Sequence, residues 1–227
     1  MLQIIYEDNY LLVLNKPSGL RAEGGHSEEP SLAFLVAKYL RQTYPWKKQL
    51  ITGVVHRVDR PVSGLMLFAK TPMALKELNR QFENREPQKT YVAIVENQLP
   101  AEAGELAHWL KKDQEKRRAD VAAEGAKGAQ ACKLRYKVLQ KKTAKGLALC
   151  LVEIEMLTGR YHQIRAQLSA VGCPILGDEK YGSHQKNEVG MIHLHAHRLQ
   201  VVHPKTSERI EFKAPFPSTP PWRSFRV

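Results

Sequence analysis

Cysteine is scarce in this sequence of 227 residues, which contains three: Cys132, Cys150 and Cys173. Their number is odd and their spacing is too wide for a metal knuckle or a CxxC redox pair, so we expect buried thiols and a reducing, cytoplasmic location. No apolar run approaches the ~20 residues of a membrane-spanning helix. The sequence also lacks the GxxxxGK[ST] and GxGxxG loops, so no nucleotide cradle is predicted.

Acidic residues are outnumbered, since 23 Asp and Glu stand against 35 Lys and Arg and the formal net charge is +12. This excess favours a polyanionic partner, and nucleic acid is the first candidate. A protein that binds an acidic membrane surface would fit the charge equally well. However, the opening MLQIIYEDNY has neither a basic leader nor an apolar run long enough to insert.

Apolar spacing and capping residues predict three helices. The first follows Ser31, and the second has Thr71 as N-cap and Pro72 as its first residue. The third runs from about 161 to 171 and is ended by Gly172. We expect the first two to pack on a sheet.

Strands outnumber helices. Apolar or alternating runs predict a hairpin over 3–15 and strands at 64–70, 89–96, 132–139, 146–157, 193–203 and 209–213. The strands follow one another through short corners, which favours an α+β fold with a mixed, largely antiparallel central sheet flanked by helices and loops. We expect one domain over 1–227 with an irregular, proline-rich tail at 215–227.

The stretch HRVDRPVSG places one acid, Asp59, between Arg57 and Arg60, with His56 close by. An ordinary surface ion pair explains this pattern. A carboxylate kept ionised to attack a substrate explains it as well, because nearby cations favour the charged form. This stretch alone leaves both readings open.

The third helix carries a second polar cluster, with Arg160, His162, Gln163 and Arg165 in its first turn and a half. A helix N-terminus with cations and hydrogen-bond donors favours anions such as phosphate. A surface helix with an incidental basic face is the alternative.

Two further patterns are less informative. His193, His195 and His197 alternate along a strand, but no acid or cysteine follows at ligand spacing, so no metal site is predicted. Hydrogen-bonded or phosphate-facing histidines are favoured instead. The stretch 111–128 reads as an exposed basic excursion between strands, which either contacts phosphate or keeps the protein in solution.

Four motifs, HRVDRPVSGLMLFAK, KTYVAIV, GRYHQIRAQLSAVGCPILGDEKYG and LHAHRLQVVHP, resemble in order and spacing the signatures of the RluA family of pseudouridine synthases. The opening IIYEDNYLLVLNKPSGL is similar to the start of that family's catalytic domain, so the resemblance covers about 4–215. It implies the pseudouridine synthase fold and an enzyme that breaks the N1–C1′ bond of a uridine in RNA and rejoins the base through C5. This isomerisation is redox-neutral, so the resemblance implies no cofactor.

The resemblance also implies roles for individual residues. Asp59 matches the catalytic aspartate, Arg165 the arginine that pairs with it, and Tyr91 a tyrosine that stacks on uracil and takes part in proton transfer. Arg57 would enter the RNA where the flipped nucleotide leaves its stack. The RNA-binding residues implied together with it are Arg60, His56, Arg160, His162 and Gln163. Attack at C1′, addition at C6 and a glycal route all stay open.

The sequence departs from the family pattern at Val58, where Leu is usual, and at Gln167, where His is frequent. It also starts too close to NKPSG to hold the small S4-type domain of many relatives. We therefore expect the catalytic domain to choose the substrate, which in relatives without that domain is tRNA, rRNA or both. We expect a monomer, because one basic face must accommodate a folded RNA.

Other functions compete with this interpretation. A non-catalytic RNA-binding or ribosome-assembly protein can share the scaffold, since a fold does not guarantee activity. A glycoside hydrolase would share the carboxylate but needs a second acid at a fixed separation. The intact set of Asp59, Tyr91 and Arg165 favours the synthase.

Overall fold

The computed structural model of this chain describes residues 2–24, 30–144, 146–186 and 190–225. These residues form eleven strands, three α-helices and two short 3-10 turns. The helices are α1 (Leu32–Thr43), α2 (Pro72–Glu83) and α3 (Gln163–Ala170). The strands are β1 (Ile4–Glu7), β2 (Leu11–Lys16), β3 (Gly53–Val54), β4 (Ser63–Ala69), β5 (Gln88–Glu96), β6 (Ala103–Asp113), β7 (Arg118–Ala122), β8 (Ala129–Ala144), β9 (Leu147–Met156), β10 (Leu194–Val202) and β11 (Arg209–Lys213).

The chain divides into two compact units. The first comprises Met1–Gln88 and Ala196–Pro215, and the second comprises Lys89–His195 and Phe216–Val227. Eight strand pairs within the described ranges are antiparallel. The predicted α+β class with a largely antiparallel sheet is therefore confirmed.

The first unit is built on the strand order β1, β2, β4, β10, with β3 also on β4 and β11 on β10. The four residues that begin β2, Leu11 to Leu14, are all fully buried. A strand that is apolar at successive positions is covered on both faces. One of these faces packs on α2, whose Ala74 and Leu78 belong to the same apolar core as Leu11.

The helices of this unit begin where the sequence predicts. The Ser31 hydroxyl accepts a hydrogen bond from the Phe34 N–H at 3.3 Å, and the Thr71 hydroxyl accepts one from Ala74 at 3.2 Å. Each satisfies an N–H group that the first helical turn leaves without a partner. The predicted N-cap Thr71 and the predicted start of the first helix after Ser31 are confirmed.

The second unit has the strand order β5, β9, β8, β6, β7. Its largest core joins Ile94 of β5 and Leu151 of β9 to Trp222 and Phe225 from the C-terminal segment. These aromatic residues therefore anchor a segment in which the described residues form a single 3-10 turn, Trp222–Ser224.

The excursion predicted at 111–128 is a loop only in part, because it includes the end of β6 and all of β7. β6 extends to Asp113, a turn follows, and β7 returns beside it, with Lys111 opposite Asp120. The side chains are largely exposed as predicted. The strand pattern was missed because β7 lies at the end of the strand order and buries little besides Ala119, so its sequence stays polar.

The remaining predicted strands are confirmed, and the third helix is two residues shorter at its start than predicted. β3 and β6 were not predicted, since β3 has two residues and β6 buries only Leu106 and Leu110 among its eleven. The longest helices have 12 residues each, and no helix in the described ranges is long and apolar enough to cross a membrane. A single domain over 1–227 stays a prediction.

We expect Gly64→Ala to lower the free energy of unfolding by roughly 3 kcal/mol or more. Gly64 has φ +112°, and a Cβ there would overlap the backbone of Ala196. Gly125→Ala is the matched control, because Gly125 has φ +70° but open space around it, so only the backbone penalty of about 1 kcal/mol applies. Urea unfolding of both variants measures the difference, and equal losses would contradict the close approach.

Candidate active site

Asp59 lies in the loop between β3 and β4, where its side chain is partly exposed. A turn begins at this residue, because its carbonyl accepts a hydrogen bond from the Val62 N–H at 3.1 Å. Pro61 lies inside the turn and has no N–H to offer. The backbone at Asp59 is therefore fixed by a hydrogen-bonded turn that ends just before β4 begins.

Lys16, the last residue of β2, is fully buried beside this loop. Its ammonium group donates hydrogen bonds to the carbonyls of Pro17, Leu20 and Arg60 at 3.1, 2.9 and 3.2 Å. Three acceptors match the three N–H donors of an ammonium group. Burial lowers the pKa of Lys16 to about 7, and the negative charge of Asp59 acts in the opposite direction.

The loop after β2 and the Asp59 loop are tied together by further hydrogen bonds. The Gly19 N–H donates to the Arg60 carbonyl at 2.8 Å, and the Arg60 Nε–H donates back to the Gly19 carbonyl at 2.9 Å. The Ser18 hydroxyl donates to the Pro61 carbonyl at 2.5 Å. With the Lys16 bond to Arg60, these contacts hold the backbone on the C-terminal side of Asp59.

His56 and Arg57 of the same motif lie on the N-terminal side of Asp59. His56 accepts a hydrogen bond from the Leu67 N–H at 3.1 Å and stacks on Phe82 at 5.1 Å between ring centroids. Arg57 points outward, with 71% of its side chain exposed, and forms an ion pair with Glu23 at 3.2 Å. This exposure suits the predicted contact of Arg57 with RNA, whereas His56 ties the loop to β4.

In the second unit, Arg165 and Asp178 form a buried, bidentate ion pair. Arg165 Nε and Nη2 donate to the two carboxylate oxygens at 2.7 and 2.9 Å. The residues are 5% and 1% exposed, so little water competes for either charge. The alternative of a surface helix with an incidental basic face does not hold for Arg165, since it is buried and Asp178 supplies the opposite charge.

His162 holds the same guanidinium from the other side. It precedes α3 in the left-handed region at φ +52°, and Arg165 Nη1 lies 3.0 Å from its Nε2. A guanidinium only donates, so Nε2 accepts and the proton lies on Nδ1, which donates to the Tyr181 hydroxyl at 2.9 Å. Burial, then the charge of Arg165, lowers the pKa of His162 to about 3.

Tyr181 completes this cluster. Its hydroxyl accepts a hydrogen bond from the Ala119 N–H at 2.7 Å, and its ring lies 4.9 Å from the guanidinium carbons of both Arg165 and Arg118. Burial raises the pKa of Tyr181 to about 12, so the ring stays neutral. Tyr91 is partly buried on β5 of this unit, opposite Ile154 of β9.

Gln163 and Arg160 support the start of α3. Gln163 is buried, and its side-chain oxygen accepts from Thr158 and from the Arg160 N–H at 2.8 and 3.0 Å. Its amide group donates to the carbonyl of Lys133 and to Gln167 at 3.1 and 3.0 Å. These four bonds indicate a structural role for the Gln163 side chain, while its contact with RNA stays a prediction.

Two other sequence patterns have structural explanations. Gln167 is fully buried and donates to the carbonyl of Leu106, so it faces β6 and not solvent. His193 and His197 donate from Nδ1 to the carbonyls of Leu176 and Ala214 at 2.9 and 2.8 Å.

The three cysteines are buried and free, as predicted. No cluster of His, Cys, Asp or Glu that could hold a metal occurs within the described ranges.

Sequence reasoning missed Lys16, Asp178 and Tyr181. A lysine directly after the apolar run LLVLN is a signal for a buried cation, and it was overlooked because NKPSG reads as a turn. Asp178 and Tyr181 stand in GDEKYG, inside a recognised motif, but no spacing rule connects them to the helix that they contact.

Comparison with known protein families matches residues 10–170 to the RNA pseudouridylate synthase family. The chain belongs to this family. The dual-specificity RNA pseudouridine synthase RluA of Escherichia coli is 35% identical over 223 residues, which are 94% of this chain and 93% of that protein. An uncharacterized RNA pseudouridine synthase of Bacillus subtilis, YhcT, is 34% identical over 96% of this chain and 69% of its own length.

Solved structures agree with this family assignment. The human RNA pseudouridylate synthase domain containing 4 superposes with a TM-score of 0.78 at 25% identity, covering 95% of this chain and 89% of that one. The human domain containing 1 protein gives 0.75 at 26% identity, covering 97% and 85%. The pseudouridine synthase fold expected from the motifs is confirmed.

We expect Lys16→Met to slow pseudouridine formation by about 10²-fold, since a displacement of about 1 Å in the loop that carries Asp59 is enough for such a loss. Lys70→Met is the matched control. Lys70 is equally buried, but it lies at the opposite end of β4, where it pairs with Glu7 at 2.6 Å.

Both lysine variants should lose roughly 2 kcal/mol of stability, because each leaves buried acceptors without donors. Single-turnover rates at saturating RNA, measured on protein shown to be folded by circular dichroism, separate the two effects. A Lys70→Met enzyme as slow as Lys16→Met would contradict the specific role of Lys16.

His162 predicts a loss of stability in acid. The pKa of His162 is about 3 in the folded protein and 6.5 in the unfolded chain. Between these two pH values the imidazole binds a proton only in the unfolded chain. The free energy of unfolding therefore falls as the pH drops below about 6.5. His162→Asn removes this titration and tolerates the left-handed backbone.

The melting temperature of His162→Asn should fall less than that of wild type between pH 7 and pH 5. We expect a difference of roughly 2–4 °C, or about 1 kcal/mol after allowance for partial solvent exposure. Differential scanning calorimetry at the two pH values measures it. Parallel losses in both proteins would show that His162 is protonated as easily when folded.

Proposed function

We propose that this chain is an RNA pseudouridine synthase in which Asp59 is the attacking carboxylate. Its family membership supports the reaction, and the arrangement around Lys16 supports the residue. Asp59 is partly exposed to a substrate, while the backbone on its C-terminal side is held by a buried cation and by the loop after β2. A nucleophile needs this combination of access and fixed position.

The reaction requires an ionised carboxylate and no net oxidation. The N1–C1′ bond breaks, the uracil turns, C5 bonds to C1′, the hydrogen on C5 leaves as a proton and N1 takes up a proton. Asp59 attacks C1′, adds to C6 or promotes a glycal, and each route begins from the same ionised acid.

Tyr91 and Arg165 complete the proposed catalytic set. The Tyr91 ring would stack on the uracil, and its hydroxyl would take part in proton transfer. Asp178 and His162 accept hydrogen bonds from three N–H groups of Arg165, so the guanidinium has a fixed orientation. We propose that Arg165 belongs to the catalytic set, as the resemblance to the family implies.

RNA binding would begin with the basic surface and with Arg57. A uridine in a folded RNA must leave its stack, at a cost of a few kcal/mol. The exposed Arg57 side chain would occupy the vacated space, and Arg60, His56, Arg160, His162 and Gln163 would line or support the surface that receives the RNA. Phosphate contacts offset the cost of unstacking.

The proposed substrates are structured tRNA and rRNA. The Escherichia coli relative is named for dual specificity, and a Vibrio cholerae relative, 34% identical, is named for the large ribosomal subunit. This chain spans 93% of the first and 65% of the second. We propose that it works as a monomer in the cytoplasm, without a cofactor.

Tritium release from RNA labelled at C5 of uridine tests the activity, because forming the C5 glycoside expels that hydrogen. Wild type should release tritium, and Asp59→Asn should be slower by at least about 10³-fold while it binds RNA equally well. Asp120→Asn, an exposed acid paired with Arg118 at 2.6 Å, is the matched control and should keep full activity.

Separate tRNA and rRNA substrates identify the RNA class in the same assay. Tight binding without release by wild type would favour a non-catalytic RNA-binding protein. Release of free uracil would instead indicate a glycoside hydrolase.

A further inference from the structure

A long stretch of the first unit contains no acidic residue. Between positions 30 and 58 there are five Lys and Arg and no Asp or Glu. In a chain with 23 acidic residues, this leaves a local excess of positive charge that the sequence does not balance. Most of this stretch is α1 and the segment that follows it, and its last residues, 56–58, belong to the Asp59 loop.

The exposed face of α1 concentrates this charge. Phe34, Lys38 and Arg41 are spaced by four and three residues, so they share one face of the helix, and all three are exposed. The opposite face buries Leu32 and Leu40. Phe34 is 60% exposed, although an aromatic ring is costly to leave in water.

Trp46 lies just beyond the end of α1. It is 70% exposed and meets the Tyr44 ring edge-on at 6.0 Å between centroids. Tyr44 is held in turn, since its hydroxyl donates to Glu7 at 2.8 Å and the Lys70 ammonium lies 4.5 Å from its ring centre. A largely exposed indole ring that contacts a fixed tyrosine is thus presented to solvent, two residues before Lys48 in the sequence.

These five residues, Phe34, Lys38, Arg41, Trp46 and Lys48, form what we call the aromatic–basic stripe. It starts near the proposed active site, because the Leu32 N–H donates to the carbonyl of Arg21 at 2.8 Å and the nearby Glu23 pairs with Arg57. It ends by the far end of β4, where the Ile51 N–H donates to the carbonyl of Lys70 at 3.1 Å. A helix of this length spans about 18 Å.

We propose that the aromatic–basic stripe is a second RNA-binding surface, which binds the backbone of the substrate and stacks one unpaired base on Trp46. This inference rests on the proposed function for the identity of the ligand. Cations alternating with exposed aromatic rings suit RNA, because phosphates meet the charges and any base can stack on an indole. A protein partner is less favoured, because Lys38 and Lys48 are exposed in the stripe and lysine is depleted in the centre of protein interfaces.

Two sets of variants test the stripe in the full chain. Trp46→Ala should weaken binding of the modified RNA about tenfold, and Trp46→Phe should restore most of the loss, since it keeps a stacking ring. The triple variant Lys38→Gln, Arg41→Gln, Lys48→Gln should lower the slope of log Kd against log salt by roughly 2. The control triple Lys76→Gln, Lys205→Gln, Arg209→Gln removes the same charge from exposed sites elsewhere in the unit.

Fluorescence anisotropy with labelled RNA measures these changes, and the melting temperature confirms that each variant folds. At saturating RNA the single-turnover rate should stay at the wild-type value, because the stripe does not touch the reacting atoms. An RNA shortened to the modified loop should bind wild type and Trp46→Ala equally.

Several results would overturn the proposal. Equal losses of RNA affinity in the stripe triple and the control triple would show that only the overall charge of the protein matters. Unchanged RNA affinity in Trp46→Ala would show that no base stacks on Trp46. Concentration-dependent self-association that Trp46→Ala abolishes, with RNA affinity unchanged, would assign the stripe to protein contacts. Since binding is measured apart from tritium release, an inactive wild type that still binds through Trp46 would overturn the proposed function and leave the stripe standing.

Discussion

The buried ammonium group of Lys16 has no access to water, and the loops on either side of it are arranged to satisfy it. Each of its three N–H groups needs an acceptor, and the carbonyls of Pro17, Leu20 and Arg60 supply them. Two of these carbonyls belong to the turn after β2 and one follows Asp59 directly. The cost of burying one charge therefore determines where the loop with the proposed nucleophile can lie.

The second unit also holds a buried cation by hydrogen bonds, but there the acceptors are side chains and not backbone carbonyls. Arg165 is buried, and Asp178 and His162 fix its orientation by occupying three of its N–H groups. His162 has to stay neutral to accept one of them, and burial ensures this by lowering its pKa to about 3. In both units a buried cation is kept in place by acceptors chosen for number and direction, while the proposed nucleophile, Asp59, stays partly exposed.

Patterns that depend on near neighbours in the chain were readable from the sequence. The N-caps Ser31 and Thr71, the helices that they begin and most strands follow from local spacing. The four motifs together also indicated the family, because the residues within each motif are consecutive. By contrast, Lys16 meets Arg60 across 44 positions and Arg165 meets Asp178 across a turn, so no periodicity reports either contact. Edge strand β7 was missed because its pairing comes from the backbone and leaves a polar sequence.

The central claim is that the Asp59 carboxylate acts directly on a uridine that has left its stack. The most direct measurement is a crystal structure of the Asp59→Asn protein bound to an RNA that wild type modifies. The account predicts an extruded uridine whose C1′ or C6 lies about 3–3.5 Å from the side chain at position 59. A target uridine still stacked in the RNA, or a side chain at position 59 directed to a phosphate or to protein alone, would contradict it.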